Sequence, residues 1–170
     1  MRYEYSLLAR LASLAIFLPF LFYKIFLPLT IYPVFIIFKI LGYQSIISSS
    51  ILVINQQPLM FIEACIAPYA YYLLLALIVL TKDIQLLTRF KMFLLGSLMI
   101  LLANILRIII LVLVLSSQGI NSFYTIHIAF WLLIATVYIA ILWIALTKIF
   151  KVKSIPVYSD FKYLLQHILL

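Results

Sequence analysis

The sequence is poor in charged residues, and this scarcity excludes an ordinary soluble domain. Only 9% of its 170 residues are charged, whereas 68% are hydrophobic and the mean hydropathy is +1.31. Soluble domains carry about 25% charged residues, so this composition predicts an integral membrane protein. At about 20 residues for each transmembrane helix, residues 1–170 form one membrane domain with about four spans and no separate soluble module.

Acidic residues are scarcer still, with four Asp and Glu against twelve Lys and Arg, which leaves a net charge of +8. In a soluble protein such an excess would suggest nucleic-acid binding. Here the basic residues flank apolar runs, where membrane orientation and anionic lipids account for them more simply. Membrane lipids are therefore predicted partners, and nucleic acid is not.

Cysteine occurs once, as Cys65. An internal disulfide and a cysteine metal cluster are therefore impossible, and the thiol is free. The sequence also contains no phosphate-binding loop, no metal-ligand spacing and no dinucleotide motif, so no cofactor or metal is predicted.

The apolar runs predict an all-α membrane protein with about four transmembrane helices. The run at 25–41 contains Pro28, Pro33 and Lys39, so a fifth span, a re-entrant segment and an interfacial helix all remain open for it. The predicted spans are about 7–29, 67–80, 93–115 and 124–147, with an outer segment at 30–64 and a cytoplasmic tail at 148–170.

The outer segment differs from the spans in its pattern of apolar and polar residues. Two short apolar runs, 51–54 and 59–62, flank the polar sequence Asn55-Gln56-Gln57-Pro58. This pattern predicts a small extracytoplasmic hairpin or loop before the span at 67–80. Ser48-Ser49-Ser50 is expected to form a turn.

The distribution of basic residues orients the chain in the cell membrane. The N-terminus, the 81–91 loop and the tail together hold nine of the twelve basic residues, so all three are predicted to be cytoplasmic. Cys65, Arg107 and His127 then all approach the outer face.

Arg107 is the only charged residue within the predicted span 93–115. An arginine there is costly unless a group inside the protein receives it, and Asn104 and Ser97 continue a polar stripe on its helical face. The arginine could hold backbone carbonyls or pair with Glu63 as a structural contact, or it could serve a functional site. Asn104 could orient Arg107 or make a polar contact between helices.

Cys65 and His127 have alternative interpretations of the same kind. At the N-terminal edge of a helix the dipole would lower the pKa of the Cys65 thiol, although a lone membrane cysteine is more often a small buried apolar residue. His127 could be an interfacial histidine that caps a helix. Together, the three residues would supply a nucleophile, a general base and a fixed positive charge for a thiolate or oxyanion.

On these residues the chain resembles the exosortase/archaeosortase family, membrane cysteine transpeptidases that process C-terminal sorting signals. The matching pieces are Glu63-Ala64-Cys65, Asn104-Ile105-Leu106-Arg107-Ile108 and His127, in that order. Members typically follow the cysteine with a small hydroxyl residue and glycine, whereas Ile66-Ala67-Pro68 follows here. The chain looks like a short, core-only form.

The resemblance implies an outward-facing enzyme with Cys65 as nucleophile, Arg107 as the site arginine and His127 in the third position. Its substrates would be surface proteins that end in a short motif, an apolar span and a basic tail, and a lipid or glycan acceptor is possible. The alternative is a non-enzymatic membrane assembly or transport subunit in which Arg107 is a structural charge.

Overall fold

The chain folds mostly into helices, with one small sheet, in a computed structural model that describes residues 14, 19–81, 84–130 and 135–152. Much of the predicted first span, part of the 81–91 loop and most of the tail lie outside these residues. The described elements in chain order are α1 (Pro19–Ile40), β1 (Ser45–Ser48), β2 (Ile51–Ile54), β3 (Gln57–Met60), α2 (Glu63–Ile66), α3 (Pro68–Leu80), α4 (Leu86–Gln118), α5 (Ile120–Ala129) and α6 (Ala135–Ile149).

Within the described ranges, α1 and α4 are long and apolar enough to cross a membrane, whereas α3 and the segment Val137–Ile149 are apolar but shorter. The 33 residues of α4 extend about 50 Å at 1.5 Å per residue. In its central part, three polar side chains are buried, and the exposed face carries a stripe of leucines. The buried polar residues are Ser97, Asn104 and Arg107, and the leucines of the stripe include Leu94, Leu98, Leu102 and Leu106.

Helix α1 corrects the boundary predicted between the first span and the outer segment. It passes through residue 29 without a break and continues to Ile40, with Pro28 and Pro33 inside it. Each proline removes only one backbone hydrogen bond, and the apolar side chains that follow both prolines are buried against the rest of the protein. Ile31, Val34 and Phe38 supply this burial.

The predicted hairpin is confirmed, and it is extended by a third strand. The strands pair in the antiparallel order β1-β2-β3, with Ser48 opposite Ile51 and Ile54 opposite Gln57. The predicted serine turn is present at Ser49 and Ser50, between β1 and β2, and Ser49 has a φ of 56°. Pro58 lies within β3 rather than in the turn, because an edge strand tolerates a residue without an N–H.

The gap left between the predicted spans 93–115 and 124–147 is almost entirely helical in the structure. Helix α4 continues to Gln118 and α5 begins at Ile120, with only Gly119, at φ 81°, between them. Ser116 and Ser117 are part of the helix, and their hydroxyls donate to carbonyls four residues earlier, over 2.9 and 2.7 Å. The Arg107 helix is therefore longer at both ends than the predicted 93–115.

Helices α1, α3 and α4 form the core against which the sheet and α2 pack. Tyr71 of α3 is fully buried and stacks on Phe26 of α1, with ring centroids 3.7 Å apart. Gly96 lets α3 and α6 approach α4 closely. A Cβ atom at Gly96 would lie 2.6 Å from a methyl carbon of Leu74 and 2.9 Å from one of Leu146.

Candidate functional site

Cys65 lies in a short helical turn between the sheet and α3. It is the third residue of α2, and its backbone N–H donates to the Ile62 carbonyl over 2.9 Å. Ala67 ends the turn in a left-handed conformation with φ 55° and ψ 50°, and Pro68 then begins α3. The thiol donates to the Met60 carbonyl of β3, with Sγ and oxygen 3.8 Å apart. Main-chain groups on both sides therefore hold Cys65.

Two side chains of α4 converge on the backbone of this turn. The amide nitrogen Nδ2 of Asn104 donates to the Cys65 carbonyl over 2.8 Å. The nitrogen Nη2 of Arg107 donates to the carbonyls of Ala64 and Cys65, each over 3.0 Å. Arg107 is only 8% exposed and Asn104 only 5%, so burial strengthens these contacts. The structure thus joins Cys65, Asn104 and Arg107 through one peptide carbonyl.

Glu63 does not form the ion pair with Arg107 that the sequence left open. Its side chain is exposed, and the hydrogen bonds of the guanidinium within the described residues go to backbone carbonyls instead. The turn presents these carbonyls directly to α4, whereas Glu63 is its first residue and points outward. Of the structural contacts that the sequence allowed for Arg107, the structure contains the bonds to carbonyls.

The pKa of the Cys65 thiol is raised, whereas the interpretation of Cys65 as an activated thiol at a helix N-terminus requires it to be lowered. Burial raises the pKa of Cys65 above its ordinary value, and this effect exceeds the lowering by a hydrogen bond from the Ile62 backbone and by the charge of Arg107. A helix of four residues has only a small dipole to oppose burial. The thiol is therefore protonated at neutral pH, and any reaction of its sulfur needs a base.

His127 belongs to α5, which folds back beside the end of α4 after Gly119. Its ring stacks on Phe123, with centroids 5.6 Å apart and planes 8° from parallel. The ring nitrogen Nδ1 is buried and has no hydrogen-bond partner among the described residues. Arg107 is close enough for its charge to act on the imidazole. In the described part of the chain, no hydrogen bond joins His127 to Cys65.

A pocket of about 70 Å³ lies beside Arg107, where α3, α4 and α6 meet. Three alanines make room for it, and Tyr138 stands on the α6 side, where its hydroxyl donates to the Met99 carbonyl over 2.9 Å. The described residues that line the pocket are Ala67, Ala70, Ile100, Ala103, Asn104, Arg107, Phe130, Tyr138 and Ile139.

Sequence reasoning missed the pocket and the contact between the Cys65 thiol and Met60. Ala67, Ala70 and Ala103 are ordinary residues of apolar helices, and a pocket appears only when three helices place them together. Met60 acts through its backbone carbonyl, so its side-chain identity gives no signal. Both features depend on how distant segments pack together, so neither could be predicted from the sequence.

No protein-family model matches the chain, and no curated protein or solved structure matches it either.

Proposed function

We propose that this chain is a membrane-embedded cysteine protease or transpeptidase of the exosortase/archaeosortase type, with Cys65 as its nucleophile. One observation carries the proposal: Asn104 and Arg107 both donate hydrogen bonds to the carbonyl of Cys65. The residue pieces on which the family resemblance rests are distant in sequence, yet two of them meet at this peptide. Arg107 and Asn104 are both buried, and their hydrogen bonds fix the turn that carries Cys65. A nucleophile must be held in a fixed position, so this arrangement supports the proposal.

The proposed location is the cell membrane, with about four spans and the site facing outward. The apolar lengths of α1 and α4 support it, as does the leucine stripe on the exposed face of α4, because lipid-facing helices are apolar outside and polar inside. The shorter apolar helices α3 and α6 would complete the set of spans. The excess of basic residues in the 81–91 loop and the tail favours a cytoplasmic position for both.

In the proposed reaction, the Cys65 thiol first loses its proton to His127 or to a water molecule. The thiolate then attacks the carbonyl carbon of the scissile peptide bond, which breaks as the departing amine takes up the proton. A thioester now joins the substrate to Cys65. Water or the nucleophilic group of an acceptor attacks this thioester, and the proton that it loses restores the thiol.

The roles of Arg107 and Asn104 in this reaction follow from their contacts. Their bonds to the Cys65 carbonyl orient the turn that carries the sulfur, which makes them positioning residues. The charge of Arg107 also opposes the effect of burial on the thiol pKa, so it favours thiolate formation. Arg107 therefore helps the nucleophile through the main chain and through its electric field.

The proposed substrates are surface proteins that end in a short motif, an apolar span and a basic tail. Such a substrate would dock its own span beside α4, where the exposed leucines offer an apolar surface. The acceptor of the new carboxyl end would be a lipid, a glycan or water.

The test compares the native chain with Cys65→Ala in living cells. The variant should accumulate normally in the membrane while surface proteins keep their C-terminal sorting segments, as measured by mass spectrometry of membrane fractions. Ser48→Ala, a change in the sheet, serves as a control that should leave processing intact. Normal processing in the Cys65→Ala strain would contradict the proposal.

The covalent intermediate offers a second measurement on the purified protein. Because the chain contains one cysteine, any thioester must form on Cys65. Intact-mass analysis after a brief incubation with substrate should find an added acyl mass that hydroxylamine removes.

A second candidate is a non-enzymatic membrane assembly or transport subunit, and the bonds of Arg107 to backbone carbonyls favour it. Those bonds stabilise the contact between α2 and α4 whether or not Cys65 reacts. This alternative expects Cys65→Ser to be silent and Arg107→Leu to impair accumulation or partner binding. The proposed enzyme instead expects Cys65→Ser to block processing without loss of the protein.

A further inference from the structure

Arg107 has more hydrogen-bonding capacity than the described residues use. Its Nη2 donates both of its hydrogens, one to the carbonyl of Ala64 and one to that of Cys65. Its Nε is buried and has no hydrogen-bond partner in the described part of the chain. An unpaired N–H on a permanently charged, buried group costs free energy, so the site favours an acceptor that would complete it.

The charge of Arg107 also lacks a protein counter-ion among the described residues. Glu63 is the one acidic residue in the described ranges, and its side chain is exposed. The guanidinium is only 8% exposed, and backbone carbonyls supply dipoles rather than a full negative charge. A buried cation without a carboxylate is stabilised by an anion that enters from outside the chain.

The pocket beside Arg107 has the size and lining to admit such an anion. Its volume of about 70 Å³ is several times the roughly 10–15 Å³ that a single water molecule requires on this measure, so it offers space for a small ligand such as a carboxylate on a short apolar group. Apart from Arg107, Asn104 and Tyr138, the described lining is apolar, and Ala67, Ala70 and Ala103 keep the space open. Because Nη2 is occupied by two carbonyls, a carboxylate would accept a hydrogen bond from Nε, and the charge of the guanidinium would strengthen that bond.

We infer that the pocket beside Arg107 is a binding site for a carboxylate carried on a short apolar group. Arg107 supplies the charge and the unpaired Nε donor, and the alanines restrict the attached group to a small one. This site rests on the geometry alone. Its assignment to the carboxyl end of a peptide, such as the one that hydrolysis of a Cys65 thioester would release, rests on the proposed function.

The test measures ligand-dependent thermal stability of the full chain, purified in detergent and carrying Cys65→Ala so that no cleavage is involved. Propionate at ten times its dissociation constant should raise the melting temperature by about 3–5 °C, because it binds the folded state. Propionamide has the same shape without the charge and should produce no comparable rise. An equal rise with propionamide would overturn the inference.

Two variants locate the binding. Ala103→Leu fills the pocket and should abolish the propionate effect, whereas Ala76→Leu, on α3 but outside the pocket, should keep it. Should Ala103→Leu fail to fold, Ala70→Val narrows the same space from α3 and should weaken propionate binding at least tenfold. A propionate effect that persists in every folded pocket variant would place binding elsewhere and overturn the inference.

Peptides distinguish the two sources of a carboxylate. A short peptide that ends in alanine with a free carboxyl group should compete with propionate, and its amidated form should not. Failure of the free-acid peptide to compete would overturn the assignment to peptide ends and leave a site for small free acids. Binding by the Cys65→Ala protein does not depend on catalysis, so a failure of the proposed enzyme activity would remain distinguishable.

Discussion

At the scale of single residues, the carbonyl of Cys65 is the point where the candidate site is assembled. Asn104 and Arg107 are one helical turn apart on α4, and both donate to it. The spacing of these two residues and the cost of a membrane arginine were visible in the sequence. Their partner was not, because a main-chain carbonyl is present at every position and leaves no compositional trace.

The raised pKa of the Cys65 thiol predicts slow alkylation at neutral pH. Since burial favours the protonated thiol, the reactive thiolate forms only as pH rises toward this raised pKa, with about a tenfold gain in rate per pH unit below it. The rate of maleimide labelling between pH 6 and 10 should therefore rise at higher pH in the folded protein than in the denatured chain. Intact-mass analysis measures the labelled fraction.

The denatured chain is the control for this experiment, because its single thiol has an ordinary pKa. Arg107→Gln should slow the labelling further at each pH, since it removes a charge that favours the thiolate. A folded protein that reacts at lower pH than the denatured chain would contradict the burial argument.

At the scale of elements, α4 holds the two ends of the segment that contains α2 and α3. Arg107 and Asn104 bind the carbonyls of α2 near one end. Arg89 binds the carbonyls of Val79 and Thr81 at the end of α3, over 3.2 and 2.9 Å. A helix end leaves carbonyls without partners, and an arginine from a neighbouring helix satisfies them here. The fold therefore uses two arginines as caps.

Arg89→Ala should destabilise the protein by about 1–3 kcal/mol, because it leaves carbonyls at the end of α3 without a charged donor. Arg89→Lys should recover only part of this loss, since an ammonium group cannot reproduce the planar fork of donors. Thermal unfolding in detergent provides the measurement. The nearby exposed Lys91→Ala is the matched control, and an equal loss there would argue against a specific cap.

Gly96 provides a second prediction at this scale. A methyl group at position 96 would contact Leu74 and Leu146, both almost fully buried, so Gly96→Ala should crowd the core. The crowding costs about 1–3 kcal/mol and outweighs the gain of about 1 kcal/mol in helix propensity. The melting temperature should fall.

A double-variant cycle tests whether Leu74 is responsible for this cost. In Gly96→Ala with Leu74→Ala, the second change makes room for the new methyl group, so the two losses should be less than additive. Strict additivity would show that Gly96 acts through something other than close packing.

The boundaries of the elements were less predictable than their existence. The hydropathy pattern located α3 and the centre of α4, and β-branched residues around a polar turn located β2 and its hairpin. The hydropathy pattern did not show that α1 continues through Pro28 and Pro33. The helix continues there because tertiary packing outweighs the two lost backbone hydrogen bonds. Strand β1, Ser45–Ser48, was missed since two apolar residues between serines give too short a pattern.

At the scale of the whole molecule, the proposed orientation predicts opposite accessibility for the sheet and the end of α6. With Cys65 replaced by alanine, Asn55→Cys in the β2–β3 turn should react with an impermeant maleimide added outside intact cells. Lys151→Cys, just after α6, should react only after the membrane is opened, because basic flanks stay in the cytoplasm. Labelling of both cysteines from the same side would contradict the proposed topology.

In the proposed topology, the unequal lengths of α3 and α4 would give the membrane around the site a definite shape. The 13 residues of α3 rise about 20 Å, less than the roughly 30 Å of a hydrocarbon core. Either the bilayer would thin beside α3, or α2 and the sheet would occupy the outer part of the membrane. Either arrangement would place Cys65 below the level of the headgroups, in a local depression of the bilayer. Water could reach the thiol at a depth where a substrate span is still surrounded by lipid.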